Sequence, residues 1–391
     1  MRPVLYLSSL KTVRPSFEKP QEDAIRWLAE AHSAGEAFAG FPAGRSDSSP
    51  EYFQKLISRF GCSPERIASR GHELADFTHT RWDEMRIFRL REHPGGLPME
   101  SRQRVFDELV RAKCENLFLP EESTGSDLIH VSCTGYLSPS PLQRFVVERG
   151  AAAKTRVLHA YHMGCYAALP ASRMASALAL QQSLEGRVQN SASGVDVVHT
   201  ELCSLHFNPV DHSPEQLVVQ SLFADGFVRY RLTANEPGEG GSLRVLAMNE
   251  VQIPSSAHAM TWLPVGWGMA MTLSRDVPSL ISDSLKDYID GLFEIAGLSA
   301  AEVLPGLVYA VHPGGPKIID HIQNLLEIPD EKIQASKNIL RKYGNMSSAT
   351  LPHVWHEILA DDIKYPNGTR VLSLAFGPGL TIAGSLFEVV R

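Results

Sequence analysis

The sequence predicts an α/β protein, and three observations carry that reading. Short apolar runs rich in Val, Ile and Leu alternate with helical periodicity along most of the 391 residues, the pattern of sheets buried between helices. Apolar residues make up 43% and charged residues 21%, an ordinary globular balance that excludes disordered, collagen-like and coiled-coil chains. The length is ample for a large core, arranged as two or three domains or as one duplicated fold.

Taken in order, residues 1–10 are apolar and run straight into Lys11 and Arg14. They read as a first strand, lacking the long apolar core and small-residue cleavage site of a secretory leader. Residues 35–50, dense in Gly, Ala, Ser and Pro, predict a loop. Helical periodicity covers residues 99–117, 166–184, 277–298 and 331–343. Pro278 suits a first helical turn. Pro170 lies beyond the first turn of a helix starting at 166, so a kink is expected unless that helix starts later. Strands are predicted over 128–133, 156–161, 195–200, 227–232 and 303–311. The turn-rich, apolar-poor stretch 233–242 divides the chain into an N-terminal half, 1–235, and a C-terminal half, 236–391. No short solenoid repeat is present.

Charge and cysteine usage narrow the function classes. Lys and Arg number 37 against 44 Asp and Glu, a formal net charge of −7, which argues against nucleic acid as the main partner. No apolar stretch is long enough to span a bilayer, so no membrane partner is expected. The five cysteines, Cys62, Cys114, Cys133, Cys165 and Cys203, are odd in number and irregular in spacing, which predicts free thiols and a reducing, cytoplasmic setting.

Three segments bear chemistry. Gly164-Cys165-Tyr166 falls between a strand and a long helical pattern, where a helix N-terminus would lower the pKa of the thiol; the plainer reading is a buried structural cysteine. Val311-His312-Pro313-Gly314-Gly315-Pro316 ends a strand with a histidine at a turn poor in side chains, either aimed at a ligand or bonded to its own backbone. Tyr343-Gly344-Asn345-Met346-Ser347-Ser348-Ala349 reads as a C-cap followed by an N-cap, or as an amide donor set beside a substrate oxygen. Cys, His and Asn in that order serve papain-like peptide hydrolysis or thioester condensation. The first lacks its signature around the nucleophile.

The second is where the chain resembles a known family. Tyr309-Ala310-Val311-His312-Pro313-Gly314-Gly315-Pro316, Tyr343-Gly344-Asn345-Met346-Ser347-Ser348-Ala349 and Phe376-Gly377-Pro378-Gly379-Leu380-Thr381 closely resemble motifs of the type III polyketide synthases, the chalcone synthase-like family. Gly164-Cys165-Tyr166-Ala167 looks like its nucleophile segment, and Leu222-Phe223-Ala224-Asp225-Gly226 is similar to its L-F-G-D-G motif. These motifs run in order from about residue 128 to the C-terminus, whereas the first 125 residues match less clearly. The resemblance implies a thiolase-like fold of five layers, αβαβα, with duplicated halves. It implies Cys165 as the acyl-accepting nucleophile, with His312 and Asn345 holding the malonyl thioester oxygen. Phe223 matches a gating phenylalanine. Substrates would be acyl-CoA and malonyl-CoA, with no metal, nicotinamide or flavin, and the enzyme would work as a homodimer. The product would be a pyrone or a resorcinol-type ring.

Departures from the plant-type pattern point to a bacterial-style member. Glu201 is kept. Cys203 and His206 replace threonines that shape the cavity, Trp262 aligns with a small glycine and Met271 with a second gating phenylalanine. Ser132-Cys133-Thr134-Gly135 replaces a T-T-S-G run, and Ala375 the first glycine of G-F-G-P-G. Ser347, two residues after Asn345, is expected in the substrate pocket with these. Arg66 and Arg70, four apart, are candidates for the CoA phosphates, or else one solvated helix face. His159, His162 and Cys165, and likewise His199, Cys203 and His206, have metal-like spacings, but residues 195–200 read as strand and neither set has a fourth ligand nearby. The alternatives are a single-step ketosynthase joining two acyl thioesters, with delivery by an acyl carrier protein, a silent scaffold, and peptide hydrolysis.

Overall fold

A computed structural model describes residues 4–40, 47–186, 193–235 and 240–391. Parts of the two expected loops, 41–46 and 236–239, lie outside the described residues, and the expected boundary at 235/236 falls at the edge of the second.

The strands are β1 (Tyr6–Val13), β2 (Phe17–Pro20), β3 (Ser69–His72), β4 (Asp127–Ser132), β5 (Arg156–Tyr161), β6 (Val195–Glu201), β7 (Gly226–Thr233), β8 (Ser242–Gln252), β9 (Met260–Val265), β10 (Gly268–Leu273), β11 (Val308–Val311), β12 (Arg370–Gly377) and β13 (Thr381–Val390). The helices are α1 (Gln21–Ala39), α2 (Pro50–Phe60), α3 (Met99–Leu117), α4 (Pro141–Glu148), α5 (Ala168–Leu184), α6 (Pro214–Leu222), α7 (Val277–Ala296), α8 (Ala300–Val303), α9 (Pro316–Leu325), α10 (Asp330–Tyr343) and α11 (Thr350–Ala360).

Nine strands form one mixed sheet in the order β11-β12-β13-β8-β1-β7-β6-β4-β5. Its two ends repeat one pattern. Across β4-β6-β7-β1 the pairings are parallel, antiparallel, antiparallel. Across β11-β12-β13-β8 they are the same. The repeats meet where β1 pairs with β8 over only two residue pairs, Tyr6 with Arg244 and Leu7 with Leu243.

Alternation along the strands sorts the core into layers. On β12, Val371 and Ala375 face one core while Leu372 and Leu374 face another. On β7, Val228 and Tyr230 share the first of these cores while Phe227 joins a third. The shared core holds α5 and α11, with side chains from β4, β6 and β7 on one side and β11, β12 and β13 on the other. Helices α1 to α4 cover the N-terminal half, and α7, α9 and α10 the C-terminal half. Helix, sheet, helix, sheet, helix is the five-layer αβαβα arrangement expected of the thiolase-like fold, with the repeat visible in its strand order.

Two local expectations change. The strand predicted over 303–311 is split: Ala300–Val303 is helical, started by a capping box between Ser299 and Glu302, and only Val308–Val311 is strand. Pro305 and Gly306, the latter at φ +81°, turn the chain between them. The kink expected at Pro170 does not arise, because α5 begins at Ala168. Pro170 then sits in the first turn, where its missing N–H has no partner to lose.

Candidate active site

The site forms at the seam between the two repeats. Cys165 lies in the turn between β5 and α5. Gly164 before it adopts φ +86°, and a Cβ there would sit 2.6 Å from Pro378 Cδ. Gly377 is equally constrained, since a Cβ would lie 2.0 Å from Tyr166 Cδ1. The nucleophile turn of one repeat and the Gly377-Pro378-Gly379 turn of the other thus meet at van der Waals distance, and glycine is what permits it.

Asn345 is clamped from several directions. Its backbone forms a bridge with Phe223, its N–H donating to Leu222 O at 3.0 Å while Ala224 N–H donates to its carbonyl at 2.8 Å. Its side-chain Oδ1 accepts from Ser347 N–H at 2.9 Å and from the Thr350 hydroxyl at 3.1 Å. The Ser347 N–H, which can only donate, fixes which end of the amide is oxygen. The NH2 group is left to point at Gly314 O, 3.2 Å away, and at Cys165 Sγ, 4.0 Å away. The two readings of this segment therefore hold together: Oδ1 caps the turn into α11, and Nδ2 faces the thiol.

His312 is anchored by its backbone N–H, which donates to Leu374 O at 2.7 Å. Its ring is buried, and neither nitrogen has a hydrogen-bond partner. The plain alternative, a turn histidine bonded to backbone through its ring, is not what forms. Gly314 leaves the ring room, with a Cβ there reaching only 3.4 Å from His312 Cδ2. The Ser347 hydroxyl takes the Cys165 thiol at 3.8 Å.

The lowered thiol pKa expected from the helix terminus is reversed. Burial pushes Cys165 up to about 12, eased by the Ser347 hydroxyl and reinforced by the Glu201 carboxyl. Burial also holds His312 down to about 3. Each group alone is kept neutral, because a single charge in this site is poorly solvated.

Phe223, Trp262 and Met271 line the cavity at Cys165, together with Met260, Cys133 and Ser347. Trp262 is held by its indole N–H, which donates to Cys133 O at 2.8 Å. Cys203 and His206 line a second cavity further in, with Phe223 and Trp262 walling both. Two expected positions are corrected. Glu201 lines neither cavity. Its carboxylate accepts from Cys133 N–H at 3.1 and 3.0 Å, from the Thr134 hydroxyl at 2.7 Å and from the Ser348 hydroxyl, so it braces the turn after β4 from behind. Arg70 is buried on β3 and donates to Gln21 Oε1, Gln220 O and Phe223 O, so it does not reach an exterior phosphate. Arg66 precedes that strand, is exposed, and pairs with Asp320 at 2.7 Å. The two arginines share no helix face.

Cys133 was not singled out as a site residue. It lines the cavity, and its Sγ accepts from Gly164 N–H at 3.1 Å. The only signal was its place in a segment that departs from the T-T-S-G run. Nor did spacing show the network of Glu201, Ser348, His199 and Tyr230 behind it, where His199 bonds Ser348 at 3.0 Å and Tyr230 at 3.2 Å. Among the described residues no group of three His, Cys, Asp or Glu side chains is arranged to hold a metal ion, and no helix is long and apolar enough to cross a membrane.

Comparison with known proteins agrees with this geometry. The profile described as chalcone and stilbene synthases, C-terminal domain, matches residues 245–391. A putative chalcone synthase of Bacillus subtilis (strain 168) is 30% identical over 263 residues, 66% of this chain and 69% of that protein. Probable polyketide synthase 1 of Dictyostelium discoideum is 28% identical over 295 residues, 74% of this chain but 9% of that much longer protein. The crystal structure of PKS-I from the brown alga Ectocarpus siliculosus superposes with a TM-score of 0.80 at 22% identity, covering 99% of both chains. With the motifs meeting at one seam, the thiolase-like layers and this span of identity, the chain belongs to the chalcone synthase-like family, the type III polyketide synthases.

Proposed function

We propose that the protein loads an acyl starter from its CoA thioester onto Cys165, extends it with malonyl-CoA by decarboxylative Claisen condensation, and releases a pyrone or resorcinol-type product. The observation that carries this reading is the Asn345 amide, locked with its NH2 toward Cys165, together with the buried His312 imidazole of the preceding motif, both nitrogens unspent. Loss of CO2 from a malonyl thioester leaves an enolate. Donors on Asn345 and His312 facing its oxygen would lower that barrier, each typically by about 3 kcal/mol in comparable oxyanion holes. Before extension, His312 takes the Cys165 proton, and the thiolate attacks the starter thioester and expels CoA. The enolate carbon then attacks the acyl-Cys165 carbonyl, forming the new bond as the thiolate leaves. None of these steps calls for a metal or redox cofactor. Arg66 at the exposed edge remains the candidate for the CoA phosphates.

The test is incubation of the protein with labelled malonyl-CoA and a panel of acyl-CoAs, reading CO2, free CoA and product mass. Products several C2 units heavier than the starter support the reading, and their absence with Cys165→Ala assigns the nucleophile. Full-length product from Cys165→Ala would sink it. We further propose a homodimer. Strand β5 ends the sheet with Leu158 exposed, an edge that a second copy would cover; a monomer by light scattering would contradict this.

A further inference from the structure

The cavity behind Phe223 and Trp262 is mostly apolar, with Phe77 and Phe207 among its walls, but Arg70, His72 and His206 break that surface. Arg70 and His72 are each 2% exposed and His206 7%. His72 stacks on Phe77 with centroids 4.4 Å apart and planes 8° from parallel, and neither of its ring nitrogens has a hydrogen bond. His206 spends its Nε2–H on Thr134 O at 2.8 Å and leaves Nδ1 without a partner. Arg70 donates only to neutral oxygens. The carboxyl whose field it feels, Asp225, is committed to Glu73 N–H, Ser204 N–H and the Ser204 hydroxyl.

A buried guanidinium that donates to no carboxylate and buried imidazole nitrogens without partners are unfavourable. Gathered around one cavity, they mark a place that a ligand completes. We propose that this inner cavity receives the far end of the starter acyl chain and selects one that ends in a carboxylate. The proposal rests on the reading that Cys165 carries the starter. The carboxylate supplies the anion that Arg70 lacks and accepts from a His72 N–H, while the methylenes lie along Phe77 and Phe207 and pass between Phe223 and Trp262. A methyl end leaves all these groups unsatisfied. A hydroxyl end meets the hydrogen bonds but not the charge.

The experiment compares the initial rates at which adipoyl-CoA, 6-hydroxyhexanoyl-CoA and hexanoyl-CoA acylate Cys165, read by intact-protein mass. Adipoyl loading is expected to be at least about tenfold faster than either of the others, the size of one charge-assisted hydrogen bond. His72→Phe keeps the stack on Phe77 and removes both nitrogens, and it is expected to cut the adipoyl-to-hexanoyl ratio by about tenfold. If that variant does not fold, His206→Phe reads the same ratio. Equal or faster loading of the hexanoyl or hydroxyl chain, or a ratio untouched by the variant, overturns the proposal. Malonyl-CoA decarboxylation by the wild type separates the two failures. Decarboxylation with no carboxylate preference removes only this inference. No decarboxylation and no loading of any chain removes the functional reading, and this one with it.

Discussion

At the scale of single residues, Asn345 is an amide whose two ends are assigned different work. Removing the end that faces the thiol, with Asn345→Leu, is expected to slow malonyl-CoA decarboxylation by about 10²- to 10³-fold. Removing a support of the other end, with Thr350→Val, should cost about 1 kcal/mol of stability for one lost hydrogen bond and reduce kcat through a less firmly held amide. Decarboxylation kinetics and thermal melts check both. His312 and Cys165 make a second pair of expectations. Since each is held neutral by burial, the proposed mechanism has the thiolate form near neutral pH by giving its proton to the imidazole. Iodoacetamide alkylation of Cys165 in the wild type should therefore persist to lower pH than in His312→Gln, where the half-buried thiol reacts only as the pH climbs toward alkaline values. Superimposable profiles would show that His312 does not accept the proton.

At the scale of elements, the nucleophile turn depends on the close approach of two glycine turns. Gly164→Ala forces an L-residue to φ +86° with its Cβ 2.6 Å from Pro378. The backbone term alone is about 1–2 kcal/mol, and the turn must shift besides, so a lower melting temperature and slower Cys165 acylation are expected together. This scale also shows what the sequence conveys. Helix Met99–Leu117 was legible to the residue because apolar spacing reports which face is buried, and the bounds of strand Arg156–Tyr161 were legible too, though most of it is exposed. The turns rich in Gly and Pro that hold Cys165, His312 and Asn345 were legible. Glu201 and Arg70 were misplaced because spacing along a chain does not tell whether a charged side chain faces a cavity or is spent on backbone behind it. Cys133 had no pattern of its own, since its role arises from Gly164, which is distant in sequence. The split at 303–311 was hidden by an apolar run continuous in composition, while a capping box and a Pro-Gly turn decided the structure.

For the whole molecule, burial of neutral histidines sets the acid limit. Burial lowers His32 and His353 to about 4 and His130, His199 and His206 to about 3. The unfolded chain binds protons at these groups near pH 6.5 and the folded one does not. Their contribution is thus intact above about 6.5 and is lost as pH falls from there toward 3 to 4. Asp225, raised to about 7 by burial, works the other way between about 4 and 7, and Glu201 is raised too, but His72 and His312, also lowered by burial, add to the histidine side. The melting temperature should therefore fall steeply on acidification from pH 6.5 to 4.5, and a flat profile across that window would contradict the burial of neutral imidazoles. The same assembly has a consequence for how the chain is made. The thiol belongs to the first repeat, the imidazole and the amide to the second, and β1 is held against β7 and β8 from far along the chain. At about 5–20 residues per second, the ribosome delivers Cys165 on the order of 10 s before His312. During that interval the growing polypeptide carries Cys165 without His312, Asn345 or Ser347, and the site is completed all at once, when β12 and β13 take their places in the sheet.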